Sequence, residues 1–454
     1  MNVEQRSFSD EALAELERVT FEYFAHEVNL ENGLVADSTR EGSPCSIAVV
    51  GFALTTYPIA VERGYMKRAE AARRALTSLR FFHDGPQGTG SDAIGYRGFY
   101  YHFLDMTSGR RTWDSEVSTI DTAYLLAGAL AAAAYFRDDT PNEREIRTIA
   151  EALYGRADWH WARNQGLTVT HGWKPETGFL KYRWTGYSEA LILYVLALAS
   201  PTFPLTAESY SAWTRTYTWK KVCGHELLYA GPLFIHHLSH MWIDFRGIQD
   251  EYMRGKAIDY FENSRRATYA QQAYAIRNPK NFQGYGRYGW GITGSDGPGP
   301  AVHRINGLVR RFYDYAARSI PYGPDDGTLA PWAVAASLPF APEIVLPSLE
   351  HIHTSHPEMT SRYGFKCSYN PTFPSGDRKK KGGWVSKGYY GLDQGLVVMM
   401  IENYRSGFLW RLMRQCPDIV QGLRRAGFSG GWLGPEAAER RSQRGRRATA
   451  SQRP

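Results

Sequence analysis

The chain has 454 residues, 43% hydrophobic and 22% charged, with a formal net charge of +7. That is the composition of a globular protein with ample core, and it excludes a disordered or collagen-like chain. Residues 436–454 hold six Arg against two Glu, so the body is close to balanced and gives no ground for nucleic-acid binding.

Ser9-Asp10-Glu11 opens an amphipathic segment to about Val28, which predicts a capped helix. Residues 30–43 read as a loop. Residues 46–61 are apolar throughout, as in a buried helix, and 67–83 form an amphipathic partner. A glycine-rich stretch, 85–95, leads into Tyr96 to Asp105, which reads as a hairpin. A second apolar helix is predicted over 119–135, and an amphipathic one over 142–161. The loop 166–186 carries Trp173 and Trp184 and delivers Tyr187-Ser188-Glu189 to a third apolar helix, 188–199. Further helices are predicted over 206–216, 231–244 and 250–275. After an aromatic, Gly-rich loop (278–300), they resume over 305–318, 331–337, 342–351, 392–403, 407–413 and 417–425.

The helices alternate between wholly apolar and amphipathic, as an inner layer wrapped by an outer one would require. An all-α fold, a single (α/α)6 barrel with short β-hairpins in its loops, fits the count and the length; an open helical solenoid is the alternative. No fixed-period repeat supports the solenoid. Residues 1–435 are expected to form this one domain, and 436–454 a disordered basic tail.

Cys45, Cys223, Cys367 and Cys416 are far apart and form no CxxC pair, so neither a zinc ribbon nor a disulfide framework is expected. The start Met1-Asn2-Val3-Glu4 lacks the basic-then-apolar pattern of a signal peptide, and no apolar run has the length of a membrane span. The expectation is a cytoplasmic protein as written, or an exported one if the true start lies upstream.

Three carboxylates share one setting. Asp121, Glu189 and Asp393 each stand at the start of an apolar helix, flanked by Gly, Ser, Thr or aromatics. Glu116 lies about a turn before Asp121. Helix capping accounts for any one of them. In a closed double ring, however, the inner N-termini gather at one mouth and the acids converge. Paired carboxylates in an aromatic cleft suit glycoside hydrolysis, where one protonates the leaving oxygen and the other activates water or attacks the sugar. Trp173, Trp184, Tyr187, Tyr285, Tyr288 and Trp290 would stack on sugars, while Arg183, His240 and Arg246 would bind hydroxyls. The run Gly284 to Gly289 matches GxGxxG but follows no strand, so it makes no dinucleotide site. His236 and His240 have zincin spacing without its Glu.

Several blocks resemble the glycoamylase-like family, which holds the bacterial endo-β-1,2-glucanases of glycoside hydrolase family 144 and is related to a domain of cyclic β-1,2-glucan synthases. They include His171-Gly172-Trp173-Lys174-Pro175-Glu176-Thr177-Gly178-Phe179, Tyr187-Ser188-Glu189-Ala190 and Trp242-Ile243-Asp244-Phe245-Arg246-Gly247-Ile248. Ser295-Asp296-Gly297-Pro298, Tyr322-Gly323-Pro324-Asp325-Asp326-Gly327-Thr328 and Asp393-Gln394-Gly395 extend the resemblance over about residues 12 to 433. It implies an (α/α)6 barrel without metal or cofactor, acting as a monomer on β-1,2-glucan, with inversion. Glu189 falls at the general acid, Asp393 at a second essential acid, and Asp121 and Glu116 at further cleft acids, with Asp244 among the substrate-binding residues. A transglycosylase or a hydrolase of another glucan on the same barrel is the alternative, and a non-catalytic glycan-binding protein the third reading.

Overall fold

The structure, a computed structural model, describes residues 8–374 and 383–434, so the basic tail lies outside the described residues. Helices dominate: α1 (Asp10–His26), α2 (Ile47–Glu62), α3 (Arg68–Asp84), α4 (Thr119–Tyr135), α5 (Pro141–Arg156), α6 (Trp159–Ala162), α7 (Leu191–Ala199) and α8 (Ala207–Thr214). They continue as α9 (Glu251–Lys256), α10 (Tyr260–Arg277), α11 (Pro331–Ala336), α12 (Pro342–Ser355), α13 (Gly391–Arg405), α14 (Phe408–Met413) and α15 (Pro417–Arg425). Local chemistry sets the starts. Ser9, Ser118, Thr140 and Asp259 each accept a backbone N–H of the first turn of α1, α4, α5 and α10.

Hydrophobic pattern sets the layers. The residues of α7 and α11 are buried all round, as are nearly all of those of α2, α4 and α13, whereas α1, α3, α5, α10 and α12 bury one face. The apolar helices touch in turn: α4 meets α7 and α2, α2 meets α13, and α13 meets α11. Between α11 and α7 the circuit is closed by two 3₁₀ turns, Leu233–His236 and Leu238–Met241. His237 Nε2 meets Ser337 Oγ after α11 at 2.9 Å, and Ser239 Oγ accepts the Ile192 N–H of α7 at 3.1 Å. Around the outside α1 packs on α13, α3 and α5 on α2 and α4, α15 on α7 and α12 on α11. One contiguous cluster of buried apolar side chains runs from Phe8 to Leu433.

Within this circuit α2 and α4 approach closely. Gly51 and Gly128 face each other there, and a Cβ on Gly128 would land on the Gly51 backbone, 2.7 Å from its Cα.

Short pairings tie the N-terminal ends of the inner helices together. Ser38 bridges Tyr390 before α13, and the pair Cys45–Ser46, with Phe103–Leu104, leads into α2. A five-stranded antiparallel sheet contains Val117–Ser118, which runs straight into α4, and beside it Gly172–Lys174. The loops of one end are thereby knitted into a rim.

The structure departs from the sequence expectations at several places, and the helix expected over 142–161 divides into α5 and α6. Residues 231–244 form two 3₁₀ turns rather than a helix, with His237 between them. Residues 305–318 are not helical either: Ala301–Ile305 pairs with Leu308–Phe312, Ile305 facing Leu308. Asn306-Gly307, both at positive φ (48° and 79°), closes that hairpin, a two-residue turn that Asn-Gly is suited to. The predicted 250–275 helix divides into α9 and α10 at Ala257, which is left-handed (φ 56°). The third apolar helix begins at Leu191, leaving Glu189 in the turn before it. Among the described residues no helix is long and apolar enough to cross a membrane.

Candidate active site

Asp121 stands in the first turn of α4. Ser118 Oγ accepts its N–H at 3.3 Å and donates to its Oδ2 at 2.5 Å, a reciprocal cap. Capping therefore accounts for the place of Asp121 but leaves its carboxylate facing His102. That imidazole lies between two acids, with Nδ1 3.2 Å from Glu116 Oε1 and Nε2 3.5 Å from Asp121 Oδ2. Burial opposes charge on His102, but Asp121, Glu116 and Asp37 outweigh it and raise its pKa to about 9. Burial likewise works against an ionised Glu116, yet contact with His102 holds its carboxyl below the usual range.

Glu189 is one helix further round. It is half-buried in the turn before α7, where its carbonyl accepts from Ser239 Oγ at 3.2 Å. Desolvation raises its pKa to about 7 against the pull of its own backbone N–H, and the negative charge of Asp121 adds to the rise. The helix dipole would have lowered it; burial wins.

Asp393 occupies the first turn of α13, 6% exposed, and its Oδ2 has no hydrogen-bond partner among the described residues. Burial pushes its carboxyl well above the carboxylate range; the Cys367 thiol favours the ionised form, while Asp37 and Asp296 oppose it. Asp37, whose carbonyl accepts the Gly391 N–H that opens α13, is itself raised to about 6, chiefly by burial. Asp296 is held by Arg40 at 2.8 Å and by Ser386 Oγ at 2.8 Å. The ring of Tyr315, 60% exposed, is 6.1 Å from that of Tyr390, and the electrostatic influence of Asp393 and Asp37 reaches its hydroxyl. The acids thus form two groups, Glu189 with Asp121 and Glu116, and Asp393 with Asp37 and Asp296. His102 lies between them, within the field of both Asp121 and Asp37.

The remaining sequence candidates divide. Trp173 pairs with Val117 beside Glu116 and stacks on Tyr96 at 4.6 Å. Trp184 donates Nε1 to Thr119 Oγ1 at 3.0 Å, two residues before Asp121, and stacks on His171 at 3.9 Å. Tyr187, two residues before Glu189, is buried against His236 and Tyr260. These three support the wall at the acids. Arg183 does not open onto it: its guanidinium donates to the carbonyls of Arg163, Thr168 and Asn164 and so staples its own loop.

His240, Asp244, Arg246, Tyr285 and Trp290 are not brought to the acids. His240 is buried and meets Ser264 Oγ at 2.9 Å, its pKa lowered to about 3 by burial. Asp244 is buried between Arg246 and Arg414. Just before Asp244 in the chain, the Met241 carbonyl accepts from Asn403, near the C-terminal end of α13. That end lies about 15 Å along the helix from Asp393 at 1.5 Å per residue. Tyr285 donates to Asp325 at 2.5 Å, and the buried Trp290 donates to Ser348 of the outer helix α12 at 2.8 Å.

Sequence reasoning missed Asp37, Arg40, His102, Asp296, Tyr315 and Tyr390. Asp296 lay inside a block of the resemblance. The others sit in loops, or just before a helix, without periodicity, and only pairing along the rim brings them in.

The family model described as "Putative glucoamylase" matches residues 181–417. A curated relative, "Exo beta-1,2-glucooligosaccharide sophorohydrolase (non-reducing end)" of Parabacteroides distasonis, is 25% identical over 92% of this chain and 58% of its own length. The chain therefore spans less than two thirds of that relative. Among solved structures, a "putative glucoamylase" from Bacteroides uniformis is 30% identical with a TM-score of 0.81, covering 94% of this chain and 100% of that one. An endo-beta-1,2-glucanase from Chitinophaga pinensis, in complex with sophorotriose and glucose, is 26% identical with a TM-score of 0.80, covering 93% and 99%.

Proposed function

This chain belongs to the family described as "Putative glucoamylase", and from that premise we propose that it is a glycoside hydrolase that cleaves β-1,2-glucan to sophorooligosaccharides. Relatives named for β-1,2-glucan hydrolysis, similar over nearly all of this chain, support the substrate. The observation that carries the chemistry is Glu189, a carboxyl whose pKa is raised to about 7 by desolvation at the gathered helix ends. A general acid must hold its proton at the working pH, and burial is the usual means.

In this reading Glu189 gives its proton to the glycosidic oxygen as the bond from that oxygen to the anomeric carbon breaks. Water attacks the anomeric carbon from the opposite face and loses its proton, directly or through a sugar hydroxyl, to an ionised carboxylate of the Asp393 group. The charges of Asp37 and Asp296 both oppose ionisation of Asp393, and Arg40 balances part of the charge on Asp296. His102 keeps Glu116 and Asp121 aligned and compensated.

The closed circuit of inner elements is read as an (α/α)6 barrel within a single unit spanning 1–435, whose fourth inner helix is reduced to 3₁₀ turns. Glu189 before α7 and Asp393 on α13 then stand at opposite positions of the ring. Neighbouring helix axes are about 8–10 Å apart, so opposite ones are roughly 16–20 Å apart. That supports the wide carboxylate spacing of inversion, about 6.5–9.5 Å, over the 5–5.5 Å of retention. The test is a panel of glucans of defined linkage, with products resolved by size and anomer. Release of α-anomeric sophorooligosaccharides from β-1,2-glucan alone is expected; release from other linkages only, or of the β-anomer, would contradict the reading.

A further inference from the structure

Trp113 is 65% exposed, among the most exposed large apolar side chains described. It is also one of two consecutive residues in the left-handed region, Trp113 at φ 57° and Asp114 at φ 48°. That region is unfavourable for L side chains; Asn and Asp tolerate it, and a bulky aromatic does not. A residue that is both exposed and strained contributes little to the fold, and such outliers point to function when the surroundings hold them in place.

The surroundings do hold it. Arg111 donates to the Ser115 carbonyl at 2.6 Å and to Glu176 at 2.6 Å, and lies over the Tyr101 ring at 4.6 Å. The Thr112 N–H bonds the Phe103 carbonyl, and the Ser115 N–H returns to Thr112. The loop is clamped at both sides of its exposed tip. The tip also lies next to the acids. The Trp113 ring is 5.0 Å from Phe103, and Phe103 stacks at 3.9 Å on His102, whose nitrogens reach Glu116 and Asp121.

We propose that Trp113 is a sugar-stacking platform, a subsite for a glucosyl unit beyond those at the acids, which helps a longer glucan chain to bind. An aromatic face is amphipathic enough to cover the apolar side of a pyranose. A platform fixed in advance loses little freedom on binding. Phe103 and His102 stand between Trp113 and the acids Glu116 and Asp121, so Trp113 contributes binding energy remote from the reacting centre. The inference rests on the glycan-hydrolase reading of this cleft.

The experiment compares wild type with Trp113→Ala and Trp113→Gly on polymeric β-1,2-glucan and on a short β-1,2-glucooligosaccharide. Both variants should raise KM on the polymer about tenfold, the size of loss that truncating an aromatic anchor gives, and leave kinetics on the short substrate unchanged. Trp113→Gly should not lower the melting temperature, because Gly relieves the left-handed strain. Unchanged KM on the polymer overturns the proposal, and so does a Trp113→Gly protein that loses stability and activity on both substrates together. Affinity electrophoresis in gels containing β-1,2-glucan or other glucans reads binding without cleavage. If wild type cleaves no β-1,2-glucan, the substrate reading fails, and the platform stands only if some glucan retards wild type more than Trp113→Ala. Equal mobility of the two in every gel would end it.

Discussion

At the scale of single residues, environment sets two of the carboxylates apart. Glu189 is raised to about 7 by burial and by Asp121, while Glu116 is held down by His102. An acid catalyst works while protonated, so activity should be present below about pH 7 and lost as pH rises through the Glu189 pKa. Asp121→Asn removes a negative charge that favours protonated Glu189. The alkaline limb of kcat should therefore move to lower pH, and a pH–rate profile checks it; a limb that stays or moves up contradicts the assignment. Glu189, Asp121 and Asp393 were legible in the sequence because each abuts an apolar helix, which places it at a buried end. Asp37 and His102 were not, since nothing local distinguishes a loop acid that pairing carries to the rim. Arg183 and Arg246 misled for a related reason: sequence shows a guanidinium but not the carbonyls or the Asp244 carboxylate that occupy it.

At the scale of elements, periodicity read the helices well and failed where a turn outweighed it. Apolar runs gave α2, α4, α7 and α13 within a few residues. Residues 305–318 have an apolar pattern that passes for a helix, yet Asn306-Gly307 folds them into a hairpin. That dipeptide was the available signal. The 3₁₀ turns at 233–241 had no comparable marker. The α2–α4 contact yields a prediction in which two effects compete. Gly128→Ala should add about 1 kcal/mol of helix propensity, but its Cβ would meet the Gly51 backbone, which cannot swing aside as a side chain can. Overpacking of this kind costs about 1–3 kcal/mol or more, so the clash wins. The variant should melt several degrees lower in calorimetry, and a melting point at or above wild type would contradict the close-packed contact.

At the scale of the whole molecule, the circuit of inner helices has two ends with different chemistry. At the end away from the acids, Glu17 of α1 is buried beside Glu402 of α13, with Arg405 on the first and Arg63 on the second at 2.6 Å. Burial and the Glu402 charge raise the Glu17 carboxyl. The sign follows from linkage. The folded state keeps this proton after the unfolded chain, near 4.5, has released it. Stability is therefore fully present below that value and falls as pH rises toward the raised folded value. Glu17→Gln should flatten this decline, seen as a smaller fall in melting temperature between about pH 5 and pH 8; an unchanged slope would contradict it. Layering was legible from composition and spacing, whereas the contacts that 231–241 makes with α7 and Ser337 join distant segments that no local pattern marks. The central claim is that Glu189 donates the proton at this mouth, and leaving-group dependence in Glu189→Gln tests it most directly. The variant should lose about 10²–10⁴-fold on β-1,2-glucan, the usual contribution of a general acid, yet stay near wild type on sophorosyl fluoride, whose leaving group needs no proton. Equal loss on both substrates, or full activity on the glucan, would contradict it.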